Sequence, residues 1–189
     1  MVVGFAPSGG TDITARVIAR RLGENLGHQV VVENRPGAGG NIATDAVARA
    51  NPDGHTILLA AVGSLAVAPH LISKLPYNPQ RDLAPITMAV VFSNVLVVHP
   101  SVPANSLAEY LRLANSKPGY MTYGTSGIGG AGHLAGELLK LMAKAALTHV
   151  PYKGGGPAMV DLLGGQIPSM FASAPSAVPQ IKAGKVRAL

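Results

Sequence analysis

The chain has no cysteine and no tryptophan, and only 4% of its residues are aromatic. Without cysteine there is no thiol nucleophile, no thiolate zinc site and no disulfide. That absence does not fix a compartment, because many proteins of oxidising compartments also lack cysteine. Scarce aromatic rings leave few platforms on which nucleobases could stack. Charge is scarce as well: 13% of residues are charged, and nine acids in 189 residues offer few pairs for acid–base catalysis. The six histidines (28, 55, 70, 99, 133, 149) show no metal-ligand spacing. No apolar run approaches the roughly 18 residues that span a bilayer. The longest, such as 57–62, have the length of strands.

The net charge of +6 comes from 15 basic against 9 acidic residues. The basic residues are dispersed, and Arg16, Arg20 and Arg21 come closest to a cluster. A mild positive field that draws in anionic solutes fits this pattern better than nucleic-acid binding does. What the chain has in excess is glycine (23) and proline (15), without a fixed period. Collagen is therefore excluded and a loop-rich α/β fold is favoured. The length and the 48% hydrophobic content suffice for a real core.

Apolar periodicity and glycine punctuation alternate strand, loop and helix. Strands are expected at 2–6, 29–33 and 56–61, with helices at 13–26 (ended by Gly27) and 42–50. Glycine loops at 7–12 and 34–41 lead into those helices. The grammar repeats later, with strands at 121–124, 148–151 and 167–172 and helices at 133–144 and 158–163. Glycine loops at 125–132 and 153–157 precede these two helices. Residues 94–99 read as a strand crossing between two like lobes, and 107–115 as a helix opening the second. The expected division is 1–98 for lobe one and 99–189 for lobe two, with 185–189 a crossover strand back towards lobe one. The chain opens directly on a strand with no signal peptide and closes within one, so it is expected to be short at both ends, with the closing segment of lobe one absent.

A strand that runs through a glycine turn into a helix leaves backbone N–H groups unpaired at the helix start. Glycine lets a ligand approach those groups closely, and the helix dipole favours an anion there. Loops 8–12 and 125–132 share this build, and across a cleft they could hold the two ends of a dicarboxylate. Ser8, Thr11, Thr125 and Ser126 add hydroxyl donors, and His133 stands at a helix start. Against this, Thr11 or Asp12 can serve simply as a cap, which is the commoner use of such residues.

Other chemistries fit less well. Residues Gly127 to Gly132 match the dinucleotide fingerprint formally, so a nucleotide-dependent α/β enzyme is the alternative. The next strand, Thr148–Tyr152, ends without the acid that would hold a ribose. Gly124-Thr125-Ser126-Gly127 begins like a nucleophile elbow, but Ile128 stands where glycine belongs. No catalytic residue, metal or cofactor is assigned.

Ordered motifs then narrow the reading. They are Pro7-Ser8-Gly9-Gly10-Thr11-Asp12, Val31 to Gly40 (VVENRPGAGG), Pro52-Asp53-Gly54-His55-Thr56, Leu75-Pro76-Tyr77, Asp82-Leu83-Ala84-Pro85, His133 to Glu137 (HLAGE), His149 to Gly154 (HVPYKG) and Pro175-Ser176-Ala177. Together they resemble the Bug family (TctC-like), the extracytoplasmic solute-binding receptors of tripartite tricarboxylate transporters, over essentially the whole chain. The resemblance implies a two-lobed periplasmic-binding-protein fold (type II-like), periplasmic and not membrane-embedded. It implies a receptor and not an enzyme, partnered by the transporter's membrane components. Its ligand would be a dicarboxylate, tricarboxylate, amino acid or aromatic acid. Recognition would rest on the backbone and hydroxyls of loops matching 8–12 and 125–133, which puts Ser8, Gly9, Gly10, Thr11, Asp12, Thr125, Ser126, Gly127, Gly129, Gly130 and His133 in the site.

The chain departs from the family pattern at Gly130 and Ala131, where Ser or Thr is usual, and at Ala172, where an acid or amide is usual. Position 172 is retained among the expected contacts. Full family members also begin earlier and run on past 189. A truncated, non-transporting paralogue is thus a further alternative, and exposed strand edges in a short lobe invite pairing of two copies.

Overall fold

The computed structural model describes all 189 residues, which form two α/β units. In the first, β1 (Val2–Val3) lies between β2 (Glu33–Asn34) and β3 (Leu58–Leu59), all parallel, with Val2 paired to Glu33 and Leu58. Parallel strands need crossovers, and helices α1 (Gly10–Leu26) and α2 (Asn41–Ala48) supply them. Helix α1 buries Ala15 and Ala19 and stops where Gly27 takes the left-handed conformation, φ 69°. Val3, Phe5 and Ala15 centre a small core.

The regular ladders of this unit are shorter than expected: each strand has two residues, and 29–32 pass the sheet without pairing in it. After β3 come a single wide turn, Gly63–Val67, and the short helix α3 (Ala68–Leu71). Tyr77 anchors this stretch, its buried hydroxyl lying within hydrogen-bond distance of Ser64 O (2.6 Å) and Asn41 Oδ1 (2.8 Å), with one proton to share between them.

The second unit is a five-stranded sheet in the order β6-β5-β7-β4-β8. These strands are β4 (Asn94–Val98), β5 (Thr122–Thr125), β6 (Thr148–Pro151), β7 (Ser169–Ser173) and β8 (Arg187–Ala188). Strands β5, β6 and β7 run parallel, and β4 is antiparallel to β7 and β8. Helices α4 (Leu107–Ser116) and α5 (Ala131–Ala143) cover one face, α6 (Gly155–Leu163) and α7 (Ala174–Lys182) the other. Tyr110 is the centre of the first layer, its hydroxyl bonded to Ser169 Oγ at 2.8 Å.

Two expectations change here. Strand β4 does not end the first unit; it lies inside the sheet of the second. Its alternate residues feed both cores, Leu96 and Val98 on one side and Val97 on the other. A strand apolar on both faces belongs in a sheet covered on both faces. The boundary therefore falls before Asn94 and not at 98. Likewise β8 pairs with β4 at the edge of this same sheet, through Val97–Ala188 and Val98–Arg187.

Candidate functional site

The C-terminal strand ends of the two sheets face each other, and the units meet along a seam of glycines. Gly9 lies against Gly155, and Gly156 against the carbonyl of Pro7. Gly39 lies against Ile128 O, and Gly63 against Gly129 O. Ala6 N donates to Lys153 O (2.9 Å), tying the units by main chain. The pairing differs from the expectation that loops 8–12 and 125–132 face one another. Loop 8–10 sits on 154–156 and Ser173, whereas 127–130 sits on Gly39 and Gly63. The sheet orders explain it: β1, with its loop, is flanked by β2 and β3, and those neighbours' loops reach the loop after β5.

Within loop 7–12, Asp12 is a tie. It is 3% exposed. Oδ2 accepts from Ser8 N (2.9 Å) and Arg16 Nε (3.0 Å), and Oδ1 from Asn34 Nδ2 (2.8 Å). Burial alone would raise its pKa, but the hydrogen bonds from Arg16, Asn34 and Ser8 prevail and hold it below the usual range. The bond from Ser8 N matters because Ser8 adopts φ 68°, a left-handed conformation that costs a non-glycine residue energy. Gly9 is the N-cap of α1 and Gly10 its first residue, with Thr11 following, and no side chain caps the helix. The leading amides of α1 are thereby left for something else.

Loop 125–130 is built the same way with different ties. Thr125 is fully buried, its hydroxyl accepting from Gly127 N (3.2 Å) and lying 2.7 Å from His149 Nε2. Gly127 (φ 145°) and Gly129 (φ 76°) hold conformations that a side chain would strain. Gly129 N donates to His133 Nδ1 at 3.1 Å. Gly130 caps α5 without a side-chain bond, and half-buried Ser126 places its hydroxyl near Gly130. Thr125, His133 and Asp12 thus shape the loops from behind, while Ser8, Gly9, Gly10, Thr11, Ser126, Gly127, Gly129 and Gly130 form them.

Ala172 is a correction. It is fully buried in the core with Ala158, Met159 and Leu162, so its side chain is turned away from the seam. The alternation of β7 puts its neighbour Ser173 at the strand end instead, against Gly10 and bonded to Ser176 Oγ (3.0 Å). Sequence reading missed Ser173 by one residue. It also left out Gly39, Gly63 and Gly154–Gly156, although the glycine runs around 39 and 154–156 were visible.

Five helices, α1, α2, α5, α6 and α7, begin at this seam. Their N-terminal ends carry partial positive charge. The acid at their starts, Asp12, is already paired with Arg16 (2.9 Å). The seam's electrostatics therefore favour an anion held by main-chain N–H groups and hydroxyls. A hollow of about 690 Å³ lies beside α1 and residues 27–32, and none of the seam glycines line it.

Comparison with known proteins agrees with this arrangement. Residues 14–189 match the model of the tripartite tricarboxylate transporter family receptor. The chain is 42% identical to the protein BugT of Bordetella pertussis over its full length, and spans 58% of BugT. Among solved structures, an R. palustris protein with adipate matches all of the chain at TM-score 0.92 and 37% identity, the chain covering 63% of it. MatC from Rhodopseudomonas palustris with bound malate matches 99% of the chain at TM-score 0.91 and 34% identity, with 64% of MatC covered. The fold is that of the periplasmic binding proteins, and the chain belongs to the tripartite tricarboxylate transporter receptor family.

Proposed function

We propose that the seam between the units is a ligand cleft that captures a small carboxylate for a tripartite tricarboxylate transporter on the periplasmic side of the membrane. The observation that carries this is the convergence of five helix starts on a seam whose acid, Asp12, is internally paired. A dicarboxylate would set one carboxylate on the amides around Gly9–Thr11 and the other on those around Ser126–Gly130, two loops that lie along the seam without facing each other. Ser8, Thr11, Ser126 and the newly recognised Ser173 supply hydroxyls, and Asp12, Thr125 and His133 keep the loops in shape.

The relatives solved with adipate and malate support the same ligand class. No helix is long and apolar enough to cross a membrane, so the membrane components would be separate partners. The bare outer edges of β2 and β3 also suit pairing of two copies, which light scattering over a concentration series checks. Isothermal titration with adipate, malate, citrate, an amino acid and an aromatic acid tests the function. Saturable binding of at least one acid is expected, weakened by Ser8→Ala combined with Ser126→Ala. Binding of a dinucleotide with none of the acids would overturn the reading.

A further inference from the structure

Two imidazoles stand directly behind the 125–130 loop. His133 and His149 stack with ring centroids 4.2 Å apart, 28° from parallel. Each ring holds a different part of the loop: His133 Nδ1 accepts from Gly129 N, and His149 Nε2 meets the Thr125 hydroxyl that holds Gly127 N. On the reading that this loop binds a carboxylate, we propose that His133 and His149 are positioning residues forming a pH-sensitive brace, which keeps the loop in its binding shape only while both rings are uncharged.

The chemistry is specific to one nitrogen. A ring that accepts from Gly129 N at Nδ1 carries its single proton on Nε2. A second proton can then add only at Nδ1, where it would set one N–H against another and break the bond to Gly129. His133 is the third residue of α5 and reaches back past the cap, as the acid or amide of a capping box does. It performs that acceptor role with an imidazole nitrogen, which ceases to accept once it carries a proton. A positive charge there would also face the positive end of α5 and the stacked His149.

The surrounding charges do not cancel these costs. Glu137, one turn along α5, lies 3.9 Å from His133 Nε2. It is already engaged by Lys140 Nζ (2.9 Å to each oxygen) and by the Tyr123 hydroxyl from β5 (2.6 Å). Those same bonds, from Tyr123 first and then Lys140, hold the Glu137 carboxyl below its usual range. Tyr110 of α4 stands behind Tyr123. From β6, His149 stacks on Tyr123 (5.1 Å) as well as on His133, and burial, then the neighbouring His133, push its pKa down to about 4.

The test has one readout that needs no ligand. In the ligand-free 189-residue chain, the Gly129 amide resonance should shift, and its hydrogen exchange quicken, in step with the protonation of the His133 ring followed by the ring's own resonances on acidification. His133→Asn offers a carbonyl oxygen near the place of Nδ1 without titrating, and should leave that resonance flat. His149→Gln is the second variant, and should abolish the shift that the native Gly127 amide shows as pH falls through about 4. A native Gly129 amide that ignores the charging of His133, or a His133 ring still uncharged at about pH 5, overturns the brace. With malate or adipate, the loss of affinity from about pH 8 to about pH 5 should be about tenfold greater in the native chain than in His133→Asn. The ligand's own protonation is common to both proteins, so the difference isolates the ring. An equal loss at both pH values in the variant would mean a merely structural role and would count against the brace. Failure of every acid to bind the native chain at about pH 8 would overturn the carboxylate reading, while the amide titration would still decide the brace.

Discussion

Gly39 and Ile128 meet across the seam with space for hydrogen alone. A Cβ on Gly127 would lie 3.4 Å from Gly39 Cα, and one on Gly39 would lie 2.5 Å from Ile128 O. Gly39 also sits at φ 67°, where alanine is strained by about 1 kcal/mol. Gly39→Ala is therefore expected to lower stability by more than that amount, the clash with Ile128 O adding to the strain, and to weaken carboxylate affinity about tenfold or more, because the backbones can no longer approach. Melting temperature and titration calorimetry on the same variant separate the two effects. A variant that binds as tightly as the native chain would show that the seam does not close on the ligand.

Thr125 carries a hydroxyl that no solvent reaches, shared between Gly127 N and His149. Thr125→Val keeps the volume and leaves a buried N–H without its partner. A loss of about 1–3 kcal/mol is expected by denaturant unfolding, with Thr125→Ser restoring most of it. The volume is nearly unchanged, so a large loss in both variants would point to packing instead.

Asp12 and Asn34 decide whether Ser8 can hold its left-handed conformation. Arg16 is half exposed, so its ion pair with Asp12 contributes little by itself. Asp12→Asn should nonetheless cost about 1–3 kcal/mol, through the lost charge-assisted bonds to Ser8 N and Asn34. The folded pKa of Asp12 is lowered. Its contribution is thus present above the unfolded carboxylate range and disappears as pH falls through the folded value. Acid unfolding curves of the variant should be flatter than those of the native chain across that range.

His149 makes a second pH prediction, about stability in place of binding. Its pKa falls from an ordinary value near 6.5 to about 4 in the fold. Between those values the unfolded chain binds a proton that the folded chain refuses, so stability drops as pH falls from about 6.5 to about 4 and levels off below. The melting temperature of the ligand-free chain should decline over that interval, and His149→Gln should decline less. Equal slopes would place the refusal of the proton elsewhere.

Much of this was legible before any coordinates. The helix read from Ile13 begins at Gly10 and ends at Leu26, because Gly27 announces a left-handed stop. Every strand–glycine–helix unit recurs in the fold, and the glycine loops read at 7–12 and 125–132 both reach the seam. What could not be read was partnership across distance. An apolar strand such as 94–98 carries no mark of which sheet it joins. Ala172 and Ser173 differ by one step of a two-residue alternation, which inverts which of them faces the core. His133 and His149 are 16 positions apart; they meet only because β5 and β6 run in register, Tyr123 beside His149, with α5 starting over them. No local spacing signals such a pair.

On the proposed reading, the glycine seam has a consequence for how a new ligand could be acquired. Donors on the main chain cannot be deleted by substitution, so retuning cannot proceed by exchanging one recognition side chain for another. It must proceed by accretion, each new methyl or hydroxyl taking room from the ligand and from the opposing loop together. The constraint is one-sided in each pair: a Cβ on Gly63 would lie 3.1 Å from Gly129 O and one on Gly9 3.1 Å from Gly155 N, whereas a Cβ on Gly155 would stand in ordinary contact with Gly9. Ser126 and Ser173, which already bear side chains at the seam, are the places where single-step drift in preference can begin.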